Sequence, residues 1–323
     1  MPLITAPVVT PEEPTTPPVE IPEIGYATIT YIDPTGTRWP MTDLTADWYT
    51  LAKGVSGLGA ASYVLVSDPH PRGGSRLRHV QPQARTVVWP LLVKGADHLK
   101  FTANWRNLAR AFTRTLRRGA DGRRTPGTLE VLRPDGSGRR ISVYYSQGFD
   151  GQGDTATGIT WDSAVLTLWC EDPYWEDLQP QTVHRETGAG VDFLAPYPSV
   201  SSSQVLGATT VNNPGDVDVW PTWQITGPAT AITFTREDTN DSFVLTMADT
   251  VHGALLAGET VTISTDPLRV VSGTGENLLD GLNWPEAVLW SLPPGETPVT
   301  FQLDGAAEGS AVDLTYYPRY ETA

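Results

Sequence analysis

Apolar and polar positions alternate in short runs along most of this chain, and the runs are separated by turn residues. Ala27-Thr28-Ile29-Thr30-Tyr31-Ile32 alternates, Asp33-Pro34-Thr35-Gly36 turns, and Thr37-Arg38-Trp39-Pro40-Met41 alternates again, which predicts a β-hairpin. Ser62 to Val66 and Arg85 to Val93 read as strands, with the Pro-, Gly- and Arg-rich stretch Asp68 to Arg78 between them expected as a long exposed loop. The period then changes. Leu99, Phe101, Trp105, Leu108, Phe112 and Leu116 recur at steps of mostly three or four, opposite Arg106, Arg110, Arg114, Arg117 and Arg118, which predicts one amphipathic helix lying on a sheet. Thr128 to Leu132 and Arg139 to Tyr145 flank the turn Arg133-Pro134-Asp135-Gly136-Ser137-Gly138 as a second hairpin, and Trp161 to Trp169 closes the first half.

Periodicity fades between Glu171 and Val205, where Pro, Ser and Gly collect as in a linker. Strands then return over Val219 to Ile225, Ala231 to Thr235, Ser242 to Thr246, Thr260 to Ser264, Thr297 to Leu303 and Ala311 to Tyr317. Short strands at this spacing imply a sandwich or jelly roll. The expected architecture is mainly β: an α+β domain over 25–175 with one helix on a sheet, a linker over 176–205, and a β-sandwich over 206–323. Residues 1–24, with prolines at 2, 7, 11, 14, 17, 18 and 22, read as an extended polyproline-like arm.

Composition sharpens this division. Residues 1–175 hold 18 of the 22 Lys and Arg and 17 of the 37 Asp and Glu, leaving 4 and 20 for the rest, so the formal charges are +1 and -16. The two halves therefore present surfaces suited to different partners, and the acidic half is a poor binder of nucleic acid. No run approaches the ~20 apolar residues that cross a bilayer, and the N-terminus lacks the charged and apolar segments of a signal peptide, so a soluble protein is expected. The single cysteine, Cys170, sits in an alternating run and reads as a small core residue; a disulfide framework within the chain is impossible.

Candidate chemistry is sparse. Histidines 70, 79, 98, 184 and 252 lack the spacing of metal ligands and read as surface or capping residues. Gly57-Leu58-Gly59-Ala60-Ala61-Ser62 has the glycines of a dinucleotide loop but leads into a strand where a helix is required. Ser137 lacks the spacing of a nucleophile elbow, and Asp150, Asp154 and the group Asp238, Asn240, Asp241 lack the ligand spacing of a calcium loop, so solvated turns are expected. No catalytic residue, metal or cofactor is expected, and the protein reads as a non-enzyme. The arginines of the helix with Arg123, Arg124, Arg139 and Arg140 suit charged contacts with neighbouring subunits better than DNA.

Several segments in order resemble the distal tail (Dit) proteins of siphophages. They are the Gly57-Leu58-Gly59 turn, the Arg-rich stretch, the strand Arg85 to Val93, the aromatic helix and the Pro134-Asp135-Gly136 hairpin leaving through Tyr144-Tyr145. The junction Cys170-Glu171-Asp172-Pro173-Tyr174-Trp175 is similar to that family's exit strand. Asn213-Pro214-Gly215, Trp220 to Pro228 and Trp290 to Gly295 resemble its C-terminal domain. The resemblance implies a galectin-like C-terminal sandwich and a structural virion protein, made in the host cytoplasm, at the distal end of a phage tail. It also implies a hexameric ring that joins the tail tube to the tip or baseplate, with the tube protein, the tape measure protein and a tail-associated hub protein as partners. The proline arm has no counterpart in it. For the ring interface the expectation is the basic stretch from Arg72 to Arg140 meeting acidic surface, with Arg76, Arg78 and Arg85 as its named residues. The alternative is an adhesin for host cell-wall glycan, in which Trp220, Trp223 and Trp290, or Trp284, stack on sugar; against it stands packing of these rings in the sandwich core. A β-sandwich glycosidase, the third reading, needs two suitably spaced carboxylates.

Overall fold

A computed structural model describes residues 26–51, 53–151, 159–187 and 204–323. The proline arm and Asp154 lie outside them. Strands β1 (Thr28–Ile32) and β2 (Arg38–Pro40) form the first expected hairpin. Asp33 closes its turn by accepting from the amides of Thr35 (2.8 Å) and Thr37 (3.2 Å). There follow β3 (Trp48–Thr50), β4 (Tyr63–Pro69), β5 (Ser75–Pro82) and β6 (Arg85–Lys94), the helix α1 (His98–Thr113), then β7 (Gly127–Leu132), β8 (Gly138–Gln147), β9 (Trp161–Cys170) and β10 (Trp175–Asp177).

The second half runs β11 (Gln181–Glu186), β12 (Gln204–Asn213), β13 (Thr222–Thr226), β14 (Ala231–Arg236), β15 (Asp241–Thr246), β16 (Thr260–Thr265), β17 (Leu268–Ser272), β18 (Gly295–Asp304) and β19 (Ala311–Tyr316). It ends in β20 (Arg319–Tyr320), and every strand pair is antiparallel. The chain is mainly β, as its alternation implies.

One sheet, in the order β2-β1-β7-β8-β9-β6-β3, dominates the first half. Its inward side chains, among them Val87, Trp89, Leu91, Leu129, Ile141, Val143, Leu166 and Leu168, make one core with α1. Asp97 caps the helix by accepting from the Lys100 amide at 2.7 Å, which satisfies one of the free first-turn donors. Phe101, Leu108, Ala111 and Phe112 are buried, and Phe112 stacks on Tyr31 at 4.0 Å. Burial of Leu108 and Phe112 contributes about 1.5–3 kcal/mol each.

Two residues expected on this face are not there: Leu99 is 80% exposed and Leu116 is 45% exposed. Leu99 precedes Phe101 by two residues, about 200° around a helix, and Leu116 lies in the 3₁₀ turn Arg114–Leu116, where the period tightens to about three. A polar residue takes a place on the inner face instead: Asn104 donates to Asp47 Oδ2 (3.0 Å) and to the Lys94 carbonyl (2.8 Å).

The second half is a sandwich of two sheets, β11-β19-β13-β16-β17 and β12-β18-β14-β15. Trp223, Ile225, Val261, Ile263, Val312 and Leu314 from the first meet Ile232, Phe234, Phe243, Leu245, Val299 and Phe301 from the second. The stretch 176–205, expected as linker, supplies β11, paired with β19 from Gln181↔Tyr316 to Glu186↔Ala311; residues 188–203 lie outside the described residues. Polar and apolar residues alternate only weakly in Gln181-Thr182-Val183-His184-Arg185-Glu186 because β11 is an edge strand with mostly exposed side chains.

After the sandwich the chain returns. β20 pairs with β10, Trp175 opposite Tyr320, and so joins the sheet of the first half. The sandwich is thus inserted between β10 and β20, with Trp175 fully buried at the junction.

Phe112→Ala removes the ring that locks α1 onto Tyr31. It should lower unfolding free energy by about 3–5 kcal/mol, measured by urea titration; a loss below about 1 kcal/mol would contradict this packing.

Candidate functional site

One exposed apolar surface is built on the segment expected as a loop. Asp68 to Arg78 belongs to β4 and β5, a two-stranded ribbon that pairs with no other strand among the described residues. His70 and Gly74 close its turn, with Gly73 and Gly74 at positive φ. Ser62 to Val66, expected as a strand, is the start of β4, but its pairing with β5 was hard to see in the sequence because all of β5 and nearly all of β4 is exposed, so no burial pattern marks the return strand. Leu65 is 64% exposed and Leu77 53%, beside exposed Tyr63, Val64, Val66 and Val80. A lone two-stranded ribbon is marginal in water, and apolar residues gathered on one mark a contact surface. Arg76 and Arg78 stand exposed on this ribbon, and Arg78 pairs with Asp68 across it.

A second apolar surface lies on the outside of the main sheet. Along β9, Ala164, Leu166, Leu168 and Cys170 face the core, while Trp161, Val165 and Trp169, at 60, 56 and 41% exposure, face outward. The outward set also alternates with period two, so the signal was present in the sequence, hidden by the equal hydrophobicity of the two faces.

Arg85 has a different role from the one expected. It is buried, in phase with Val87, Trp89 and Leu91 on the inward side of β6. Its Nε donates to the Pro173 carbonyl (2.6 Å), its Nη1 to Gly57 (2.7 Å) and Gly59 carbonyls, and its Nη2 to the Glu321 carbonyl (2.7 Å). Desolvation lowers its pKa, but an arginine stays charged, so the four carbonyls supply what water would. It cannot touch a neighbouring subunit. Gly57 holds φ +89° here, and any Cβ would lie 2.3 Å from the Thr86 carbonyl oxygen, so Gly57 serves a close chain crossing rather than a phosphate.

The tryptophans divide. Trp223 and Trp290 are buried in the sandwich, edge to face at 5.2 Å, and cannot stack on a sugar. Trp220 and Trp284 are exposed at 44 and 51%. Trp220 lies under the Arg319 guanidinium (5.4 Å), which pairs with Asp172, beside a small cleft of about 240 Å³ lined also by Glu176, Asp266 and Tyr317.

The remaining candidates are structural. Burial pushes the Cys170 thiol up to about 12, so it stays protonated at neutral pH. Ser137 bonds Asp135 (2.6 Å) within its turn, and Asp238 is held by Arg236 (2.7 and 2.8 Å), which depresses its pKa. Asp150 is exposed, and Asn240 takes φ +58° in the β14–β15 turn with Asp241. His70 and His79 are exposed on the ribbon; His98 contacts the Ile159 carbonyl, His184 bonds Asp313 (2.7 Å) and His252 lies 3.9 Å from Glu259. Among the described residues no three His, Cys, Asp or Glu side chains gather as a metal site would need, and no helix is long and apolar enough to cross a membrane.

No protein-family profile matches the chain, and no curated protein sequence matches it. Solved structures do. The Dit protein of phage SPP1, described as a paradigm of the hub adsorption apparatus in phages infecting Gram-positive bacteria, is 16% identical with a TM-score of 0.60, over 91% of this chain and 99% of that one. The baseplate of phage P2 in its activated conformation contains a similar chain in its calcium form (9% identity, TM-score 0.55) and in its strontium form (11%, 0.54). Each match covers 93% of this chain and 100% of the other. The chain has the fold of phage distal tail and baseplate hub proteins.

Arg85→Ala leaves four inward carbonyls without a donor and should cost about 3–5 kcal/mol in chemical denaturation, with Arg85→Lys intermediate. A loss near zero for both would show the guanidinium to be dispensable.

Proposed function

We propose that this chain is a structural subunit of a long-tailed phage, and that six copies close into a ring joining the tail tube to the tip or baseplate at the distal end of the tail. The observation that carries the reading is the β4–β5 ribbon: it exposes Leu65, Val66, Leu77 and Val80 with no further strand partner among the described residues, on a chain whose fold is that of the phage hub proteins. A ribbon reaching from one copy to the outer face of the next, where Trp161 and Val165 stand exposed, makes a heterologous contact that repeats and closes. Arg76 and Arg78 set its register against acidic residues of the neighbour, and such rim charges govern association rate and specificity more than affinity. The work assigned to the chain is assembly, and it needs no nucleophile, metal or cofactor. Its tail partners are the tube, tape measure and hub proteins.

Light scattering behind size-exclusion chromatography should give about 210 kDa, six times 35.0 kDa. Leu65→Arg with Leu77→Arg should reduce this to the monomer mass while leaving the thermal midpoint within about 2 °C, because both side chains are already in water. A wild-type chain that stays monomeric at all concentrations, with and without tube protein, would refute the reading. Unchanged rings in the double variant would remove the ribbon from it. Reversal of Arg76 and Arg78 to Glu should slow assembly and reverse its salt dependence, because added salt then screens a repulsion in place of an attraction.

A further inference from the structure

The outer face of the first half carries a cationic, aromatic cleft at the Trp169 end of β9, away from the Trp161 and Val165 end that the ribbon contact uses. The antiparallel bridge between Arg118 and Arg124 folds residues 118–124 into a small loop, closed by Gly119 and Gly122. That loop places Arg118, Arg123 and Arg124 around a space of about 620 Å³ floored by Tyr144 and Trp169, whose rings lie 6.0 Å apart. Trp169 is 41% exposed. Among the described residues none of the three guanidiniums meets a carboxylate within salt-bridge distance; Arg124 donates only to the Leu116 carbonyl. Glu171 lies at the edge and is the one acid lining the cleft. Such a site suits a ligand with separate carboxylates and a rigid apolar backbone.

Residues 1–25 have that chemistry. They carry Glu12, Glu13, Glu20 and Glu23 with no Lys, Arg or His, and seven prolines among them. Extended proline-rich chain docks on aromatic floors because its conformation is largely prepaid in entropy, and arginines read its acids bidentately. Reach is sufficient. The register places Ser142 across β7 from Ile32, so Tyr144 lies about six residues along and two strands across from Thr28, roughly 22 Å away. Eight residues of polyproline helix, the length from Glu20 to Thr28, span about 25 Å. A long polyanion is a poorer occupant, since it would also face the -16 charge of the second half.

We infer that the Arg118, Arg123, Arg124, Tyr144 and Trp169 cleft is the docking site of the chain's own acidic, proline-rich segment, residues 1–25. The cleft and the ribbon of one chain are separate, and every lining residue of the cleft comes from the same chain as residues 1–25, so docking is intramolecular and is tested on the monomer.

Limited digestion of the full-length chain by a glutamate-specific protease reads this directly, with fragment masses followed in time. Cleavage after Glu12 and Glu20 should be about tenfold slower in the wild type than in R118A/R123A/R124A, and about tenfold slower than in W169A. Far- and near-UV circular dichroism confirms that both variants are folded. Wild-type protection should fade in high salt and persist on dilution to concentrations where only monomer exists. Equal cleavage rates in wild type and folded variants would overturn the assignment. So would protection present only in rings, which would place the segment on a neighbouring copy.

Discussion

One buried guanidinium holds the two halves of this chain in register. Arg85 is charged, excluded from water and solvated by carbonyls from three separate places: the Gly57–Gly59 crossing, the Pro173 junction and Glu321 of the returning segment. Each acceptor alone is an ordinary loop carbonyl. Together they make the only environment in which a cation at that position is tolerable, so the crossing, the junction and the return must all be in place at once. The returning segment is held at other points too: Tyr63 at the root of the ribbon bonds Glu321, the Leu58 carbonyl accepts from the Ala323 amide at 2.9 Å, and Arg139 lies 3.7 Å over Tyr320. The aim of the ribbon and the seating of the sandwich are therefore fixed by the same few residues.

Much of the architecture was legible wherever one face of an element is dry. β1, β2, β7, β8 and the sandwich strands β13 to β16, β18 and β19 declare themselves by alternation, because a residue at an inward position must be apolar and its neighbours need not be, whereas β12 and β17 were not anticipated. The sequence is silent where that contrast fails. β5 is wet on both faces and β11 is an edge with little to bury, while β4 and β9 read as strands without showing which face is inward. Leu99 misled for a related reason: a leucine near a helix start counts toward the period whichever way it points.

The candidate surface was legible in part. Arg76 and Arg78 lie where a basic exposed segment was expected, but Arg85, read as a member of the same set, shares the phase of Val87, Trp89 and Leu91. That phase was available in Arg85-Thr86-Val87-Val88-Trp89 and overrules composition, since parity along a strand decides which side of the sheet a residue joins. Trp223 repeats the lesson. It alternates with Ile225 into the core, while Trp220, three residues earlier and before β13 begins, stays on the rim.

The insertion of the sandwich between β10 and β20 has a mechanical consequence. A domain hung from one covalent thread swings freely and passes on little of a pull. Here two threads leave side by side, pinned to each other by the Trp175–Tyr320 pair and, through Glu176 and Asp177, to β8 of the main sheet. Torque or tension applied to the sandwich is divided between both threads and delivered into the long sheet as a couple, so a displacement at the periphery turns the whole first half.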